Sequence, residues 1–126
     1  MSRRTSAAIL LAVAIAAAAL TQAVSALAST KFDGPWSVVV FTMSGPCDAS
    51  YRFSGQISNG EISYAYGSLE VSGRVDANGA THVRVRSAQG HGEAHGRFTE
   101  FRGAGTWSGN GPNGPCAGTW IATRPN

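Results

Sequence analysis

Cys47 and Cys116, together with His82, His91 and His95, are the residues of this chain with the most chemistry to offer. The two cysteines are the only ones present and stand 69 positions apart. They have no C-x-x-C character, so a redox pair has no support. In an oxidising compartment such a pair is expected to close one intramolecular disulfide. On the chain-entropy account, bridging a loop of about 70 residues stabilises the fold by roughly 4 kcal/mol before strain is subtracted. The histidines raise metal binding. Residues two apart on a strand share a face, but His91, Glu93 and His95 would span about 13 Å from first to last and converge only in part. A four-residue turn at Ser87–Gly90 would set His82 opposite His95 and Arg84 opposite Glu93. His82 with His95 is then the better two-ligand pair. A structural zinc site needs four ligands, so no metal is assigned.

The same register gathers His82, Arg84, Arg86, His95 and Arg97 into a basic surface patch, with Arg74 and Arg102 nearby. Contact with an acidic partner and a pH response from the histidines are the functional readings. An ordinary solvated sheet face is the favoured one, with a cross-strand ion pair worth under about 1 kcal/mol. No G-x-S-x-G, H-E-x-x-H, P-loop or G-x-G-x-x-G occurs, and the acidic residues fall mostly at outward or turn positions. The expectation is a protein that is not an enzyme and carries no cofactor.

The charge balance depends on where the chain is cut. Met1–Ala28 reads as a signal peptide: Arg3 and Arg4, an apolar run Ala7–Leu20, then Ala26-Leu27-Ala28 as an A-x-A cleavage site. Fourteen helical residues reach about 21 Å, short of the ~30 Å hydrocarbon core, so no stable membrane anchor is expected after cleavage. The formal charge of +3 falls to about +1 without the two arginines, which removes most of the basis for nucleic-acid binding. The expected location is periplasmic or extracellular. The remainder, residues 29–126, is one domain that keeps all 16 glycines and all the aromatic residues. That composition suits a small all-β domain rich in turns.

Period-two alternation recurs in eight runs. Trp36, Val38 and Val40 alternate with Ser37, Val39 and Phe41; Ile62, Tyr64 and Tyr66 alternate with Glu61, Ser63 and Ala65; Leu69, Val71, Gly73 and Val75 alternate with Glu70, Ser72 and Arg74. Asn59-Gly60, Asn78-Gly79 and Asn113-Gly114 punctuate the runs with residue pairs that accept positive φ. A repeat of about ten to twelve residues per strand and turn predicts an up-and-down antiparallel barrel. Cys47 would sit just after the first strand and Cys116 open the last, so a disulfide between them would pin the seam of a closed barrel. The segment Ser108–Pro115, rich in Asn, Gly and Pro, is expected to protrude as a loop.

Gly34-Pro35-Trp36 resembles the G-x-W of calycins, the lipocalin and avidin type of barrel, on their first strand. The resemblance implies a calycin-like barrel in which a basic residue late in the chain, here Arg124, packs over Trp36. It covers two short stretches and implies no ligand. Phe32-Asp33-Gly34-Pro35-Trp36, the Gly-Ala-Gly-Thr-Trp of 103–107 and Cys116-Ala117-Gly118-Thr119-Trp120 are also similar to a group of small secreted bacterial proteins with the frame FDG-x-W…GTW…C-x-G-x-W. That resemblance implies no activity.

The inward phase holds Trp36, Tyr51, Phe53, Tyr64, Tyr66, Phe98, Phe101, Trp107 and Trp120, with Gly55, Gly73, Gly96, Gly103, Gly105 and Gly118. An eight-stranded barrel is either filled by its side chains or holds one small ligand. A packed interior is favoured for a domain this small. The glycines permit either outcome, by making room for neighbouring rings or by leaving a pocket. Three inward tyrosines hint at a mouth open to water or ligand. The leading function is binding, of a small apolar or planar ligand or of a protein partner. Trp36, Tyr51, Tyr64, Tyr66, Trp107 and Trp120 are the candidate ligand residues. The alternative is an envelope structural, stress or inhibitor-like protein without a small ligand. A monomer is expected.

Overall fold

The computed structural model describes residues 30–125, so the segment read as an export signal lies outside the described residues. Eight strands follow one another: β1 Gly34–Ser44, β2 Ser50–Ser58, β3 Glu61–Tyr66, β4 Leu69–Val75, β5 Ala80–Ser87, β6 Gly90–Phe98, β7 Arg102–Gly111 and β8 Gly114–Thr123. Each pairs antiparallel with the next, and β1 also pairs with β8, so the sheet closes into an up-and-down barrel. Closure removes the free edges through which sheets aggregate. The alternation predicted for β1 holds: Trp36, Val38 and Val40 turn to the core while Phe41 is exposed.

The seam is built as the cysteine positions predict. Cys47, in the β1–β2 connection, is bonded to Cys116 near the start of β8, with their Cα atoms 6.2 Å apart. The chains run so close there that a Cβ on Gly45 would collide with the Pro115 carbonyl oxygen and come within 2.7 Å of the Cys116 Cα. Gly45 also holds a φ of +93°, a backbone state that favours glycine.

One end of the barrel is plugged. Phe32, Trp36, Ile57, Val75, Phe98, Trp120 and Ala122 form its buried cluster. Phe98 packs edge-on to Trp36, ring centroids 4.9 Å apart, and lies 5.6 Å from Trp120. The turn before β1 carries Phe32 into this floor, and Arg124 fastens that turn. Its guanidinium lies 4.5 Å over the Trp36 ring, as the calycin resemblance implies. It also donates to the carbonyls of Asp33 (2.7 Å), Lys31 (3.0 Å) and Glu100 (2.7 Å). The Asp33 carboxylate in turn accepts the N–H groups of Asn59 and Gly60, at 2.8 and 3.1 Å. Those two residues make the β2–β3 turn with φ values of 52° and 75°, the use for which Asn-Gly is selected.

Two sequence expectations are corrected. Ser108–Pro115 is not a protruding loop: β7 and β8 stay paired from Ser108↔Ala117 to Gly111↔Gly114, leaving only Pro112 and Asn113 as the turn. Pro115 lies beyond the last β1–β8 pair, so its missing N–H breaks no ladder bond on that side. Phe101 is not inward either. It sits in the β6–β7 turn at the plugged end, 37 % exposed.

Candidate functional site

The other half of the barrel is hollow. A cavity of about 340 Å³ opens between the turns at the disulfide end and runs down to the indoles of Trp36 and Trp120. Its wall changes character around the barrel. Tyr51, Phe53 and Tyr64 on β2 and β3 form an aromatic side, with Phe53 centred 5.9 Å from Tyr51 and 5.1 Å from Tyr64. Leu69, Val71, Val83 and Val85 on β4 and β5 form an aliphatic side. On β6 and β7 the paired Gly92 and Gly109 leave that wall as bare backbone, next to Ala94 and Trp107. Ser87, Gln89 and Asn110 bring polar groups to the rim.

Trp36 and Trp120 help to make the lower half solid, and Trp107 stands above them in the cavity wall. Ala104–Trp107 and Ala117–Trp120 repeat the same four residues on neighbouring strands, and the register pairs each tryptophan with the other copy's glycine: Gly105↔Trp120 and Trp107↔Gly118. Each indole lies across that glycine and donates its N–H to a carbonyl one strand further on. Trp120 Nε1 reaches the His95 oxygen of β6 at 3.1 Å, and Trp107 Nε1 reaches the Phe41 oxygen of β1 at 2.9 Å. A Cβ on Gly105 would stand 2.7 Å from Trp120 Nε1, and one on Gly118 would stand 2.9 Å from Trp107 Nε1. These glycines therefore make room for rings. Trp36 satisfies its own N–H on the Phe32 carbonyl at 2.9 Å. All three indoles are thus hydrogen-bonded and held in place, so the cavity floor is rigid and apolar.

Five of the six aromatic ligand candidates reach the cavity. Trp36 and Trp120 are floor, Trp107 and Tyr64 are wall, and Tyr51, nearly half exposed, stands at the mouth. Tyr66 does not reach it: at the end of β3 it is 75 % exposed and off the lining, because no further layer of side chains covers the last residue of that strand. The aliphatic wall is not among the ligand residues expected from the sequence, which are all aromatic, although the inward phase of Val71, Val83 and Val85 is visible in the same alternation. The packed interior favoured from chain length holds only for the plugged half.

On the outer face of β5 and β6, His82 pairs with His95 and Arg84 with Glu93, the predicted register. The predicted Arg84–Glu93 ion pair is absent among the described residues. Glu93 turns diagonally instead, its Oε2 lying 3.6 Å from His82 Nε2 and 4.0 Å from His95 Nε2. The two imidazoles stack face to face, centroids 4.4 Å apart and planes 6° from parallel. Arg84 and Arg86 are exposed on the same face. Arg97 reaches away from it, donating to the Asn78 carbonyl at 2.9 Å.

No protein-family model matches the chain, and neither curated proteins nor solved structures yield a match.

Proposed function

We propose that this protein is an exported, non-enzymatic barrel that takes one small apolar or planar molecule into its open half. The observation that carries this reading is the 340 Å³ cavity with an aromatic and aliphatic lining and polar groups at its rim. Pockets of that kind, at the small end of the usual range, are where small molecules bind. At the packing density of a protein interior, near 0.74, the space takes about 250 Å³ of ligand, on the order of two or three aromatic rings. A ligand that size gains about −5 to −8 kcal/mol, a Kd from a few hundred micromolar to about 1 µM. The rim groups Ser87, Gln89 and Asn110 suit a molecule with one polar tip pointing to water.

Export is supported by the apolar N-terminal run with its A-x-A site and by the disulfide, which is compatible with an oxidising compartment. A non-enzymatic role is supported by the placement of the reactive groups. The cysteines are bonded to each other, the three histidines face outward, and the Asp33 carboxylate is engaged by the Asn59 and Gly60 N–H groups. Docking of a protein partner through a protruding loop loses its support, because the β7–β8 connection is a two-residue turn.

Tryptophan fluorescence titrated with a panel of hydrophobic and planar compounds tests the proposal. A saturable change is expected, and it should shrink in Trp107→Phe because that ring is in the wall while Trp36 lies in the packed floor. Absence of any saturable change across the panel would overturn it.

A further inference from the structure

The geometry points to a second binding site, on the outside of the barrel: His82, Glu93 and His95 form a three-ligand site for a late first-row divalent metal ion, Zn²⁺ or Cu²⁺. Neither His82 nor His95 lines the cavity, and Glu93 is the one residue common to both sites. One ligand atom from each of the three residues lies within 4.8 Å of the others. Two of the three separations are 3.6 and 4.0 Å. These gaps are too long for hydrogen bonds, and none of the three side chains makes a hydrogen bond to another described residue. They are close to what a metal needs, since donors at about 2.0–2.1 Å from a tetrahedral ion stand about 3.3–3.4 Å apart.

The fold brings the three donors together in a way that spacing along one strand does not. Along β6 alone, His91, Glu93 and His95 share a face but spread out; the site instead takes two donors from β6 and one from β5. The direct pair His82↔His95 stacks the two imidazoles with both Nε2 atoms toward Glu93. The carboxylate completes the set from the neighbouring diagonal position, within reach of a long side chain. All three are exposed, so the imidazoles have room to turn out of their parallel stack and aim their in-plane lone pairs at one shared ion.

Two imidazoles and a carboxylate suit zinc, copper or nickel better than calcium or magnesium, which seek all-oxygen sets. The neighbours sharpen that choice. Arg74 stands opposite His82 on β4, and Arg84 stands opposite Glu93. Two guanidiniums on the same face oppose a cation held by charge alone, so the ion must be one that bonds imidazole nitrogen strongly. Cu²⁺ is the strongest candidate by the general affinity order of divalent metals. With three protein donors the ion keeps open positions for water or an anion, in the manner of an open site and not of a closed structural one.

The test is titration of untagged protein with CuCl₂ and ZnCl₂ by calorimetry, with electron paramagnetic resonance of the copper form. One ion per chain is expected, and the copper spectrum should show coupling to two imidazole nitrogens. His82→Asn or His95→Asn should weaken binding at least about tenfold, since even outer partners of metal ligands are worth about 10–100-fold. Glu93→Gln should weaken it less, and His91→Asn should leave it unchanged. These exposed positions keep the barrel intact, which the melting temperature of each variant without metal would verify. Absence of stoichiometric binding, binding unaltered by both His82→Asn and His95→Asn, or binding abolished by His91→Asn would each overturn the assignment.

Discussion

Replacing Val85 by phenylalanine asks directly whether the upper barrel is hollow. Val85 lines the cavity on β5, paired with Val71 on one side and with Gly92 on the other. A ring at position 85 has a glycine beside it to lie across, as Trp120 lies across Gly105. The change adds four carbons, and complete burial of carbon at about 0.8 kcal/mol per CH₂ would contribute roughly 3 kcal/mol. The site is only half-buried, so a net gain of about 1 kcal/mol is expected, or roughly 4–8 °C in Tm for a domain of this size. In a filled interior the same substitution forces strain and costs about 1–3 kcal/mol. The two descriptions therefore differ in sign. Calorimetric melting and urea unfolding followed by tryptophan fluorescence read the effect. A fall in Tm of more than about 5 °C, in a protein that still folds cooperatively, would refute a hollow upper half. The same variant should lose whatever ligand the wild-type cavity takes.

Other expected outcomes follow from particular contacts. Gly118→Ala places a Cβ against the Phe41 carbonyl oxygen and the Trp107 indole, so a loss of about 3 kcal/mol or more is expected in urea unfolding. Arg124→Ala removes three carbonyl contacts and the contact over Trp36, with a loss of about 2–3 kcal/mol after allowance for part exposure; Arg124→Lys should recover little, because one ammonium cannot serve the fork. The double variant Cys47→Ala, Cys116→Ala should melt lower by about 2–4 kcal/mol of stability, while intact protein shows a mass about 2 Da below the reduced form.

Much of the barrel was legible because strand phase is a local property. Trp36, Val38 and Val40 declare their face by alternation, and Asn59-Gly60 declares its turn by the φ values only such a pair adopts easily. The seam was legible for a topological reason: a bond between the end of β1 and the start of β8 requires those strands to be neighbours. Phase does not reveal how many layers cover a residue, and so Tyr66 and Phe101, at strand ends, fall outside the core. Composition misled at Ser108–Pro115, where glycine, asparagine and proline read as loop yet the β7–β8 ladder continues through them. Pairing partners alone do not disclose that Glu93 turns to the imidazoles and not to Arg84, since side-chain reach across a diagonal depends on rotamer and local sheet twist. The depth of the cavity was hidden for the same reason. Inward glycines and tryptophans are compatible with a full or a hollow barrel until the register shows each indole lying over the other copy's glycine.

The cavity reading meets its most direct test in nuclear magnetic resonance of the labelled protein titrated with N-phenyl-1-naphthylamine, an uncharged probe of suitable size. One probe per chain should bind saturably, with intermolecular contacts to Tyr64, Val85 and the Trp107 indole, and Val85→Phe should abolish them. Contacts confined to the outward apolar residues Phe41 and Ile121, or shifts that never saturate, would contradict a ligand-binding barrel.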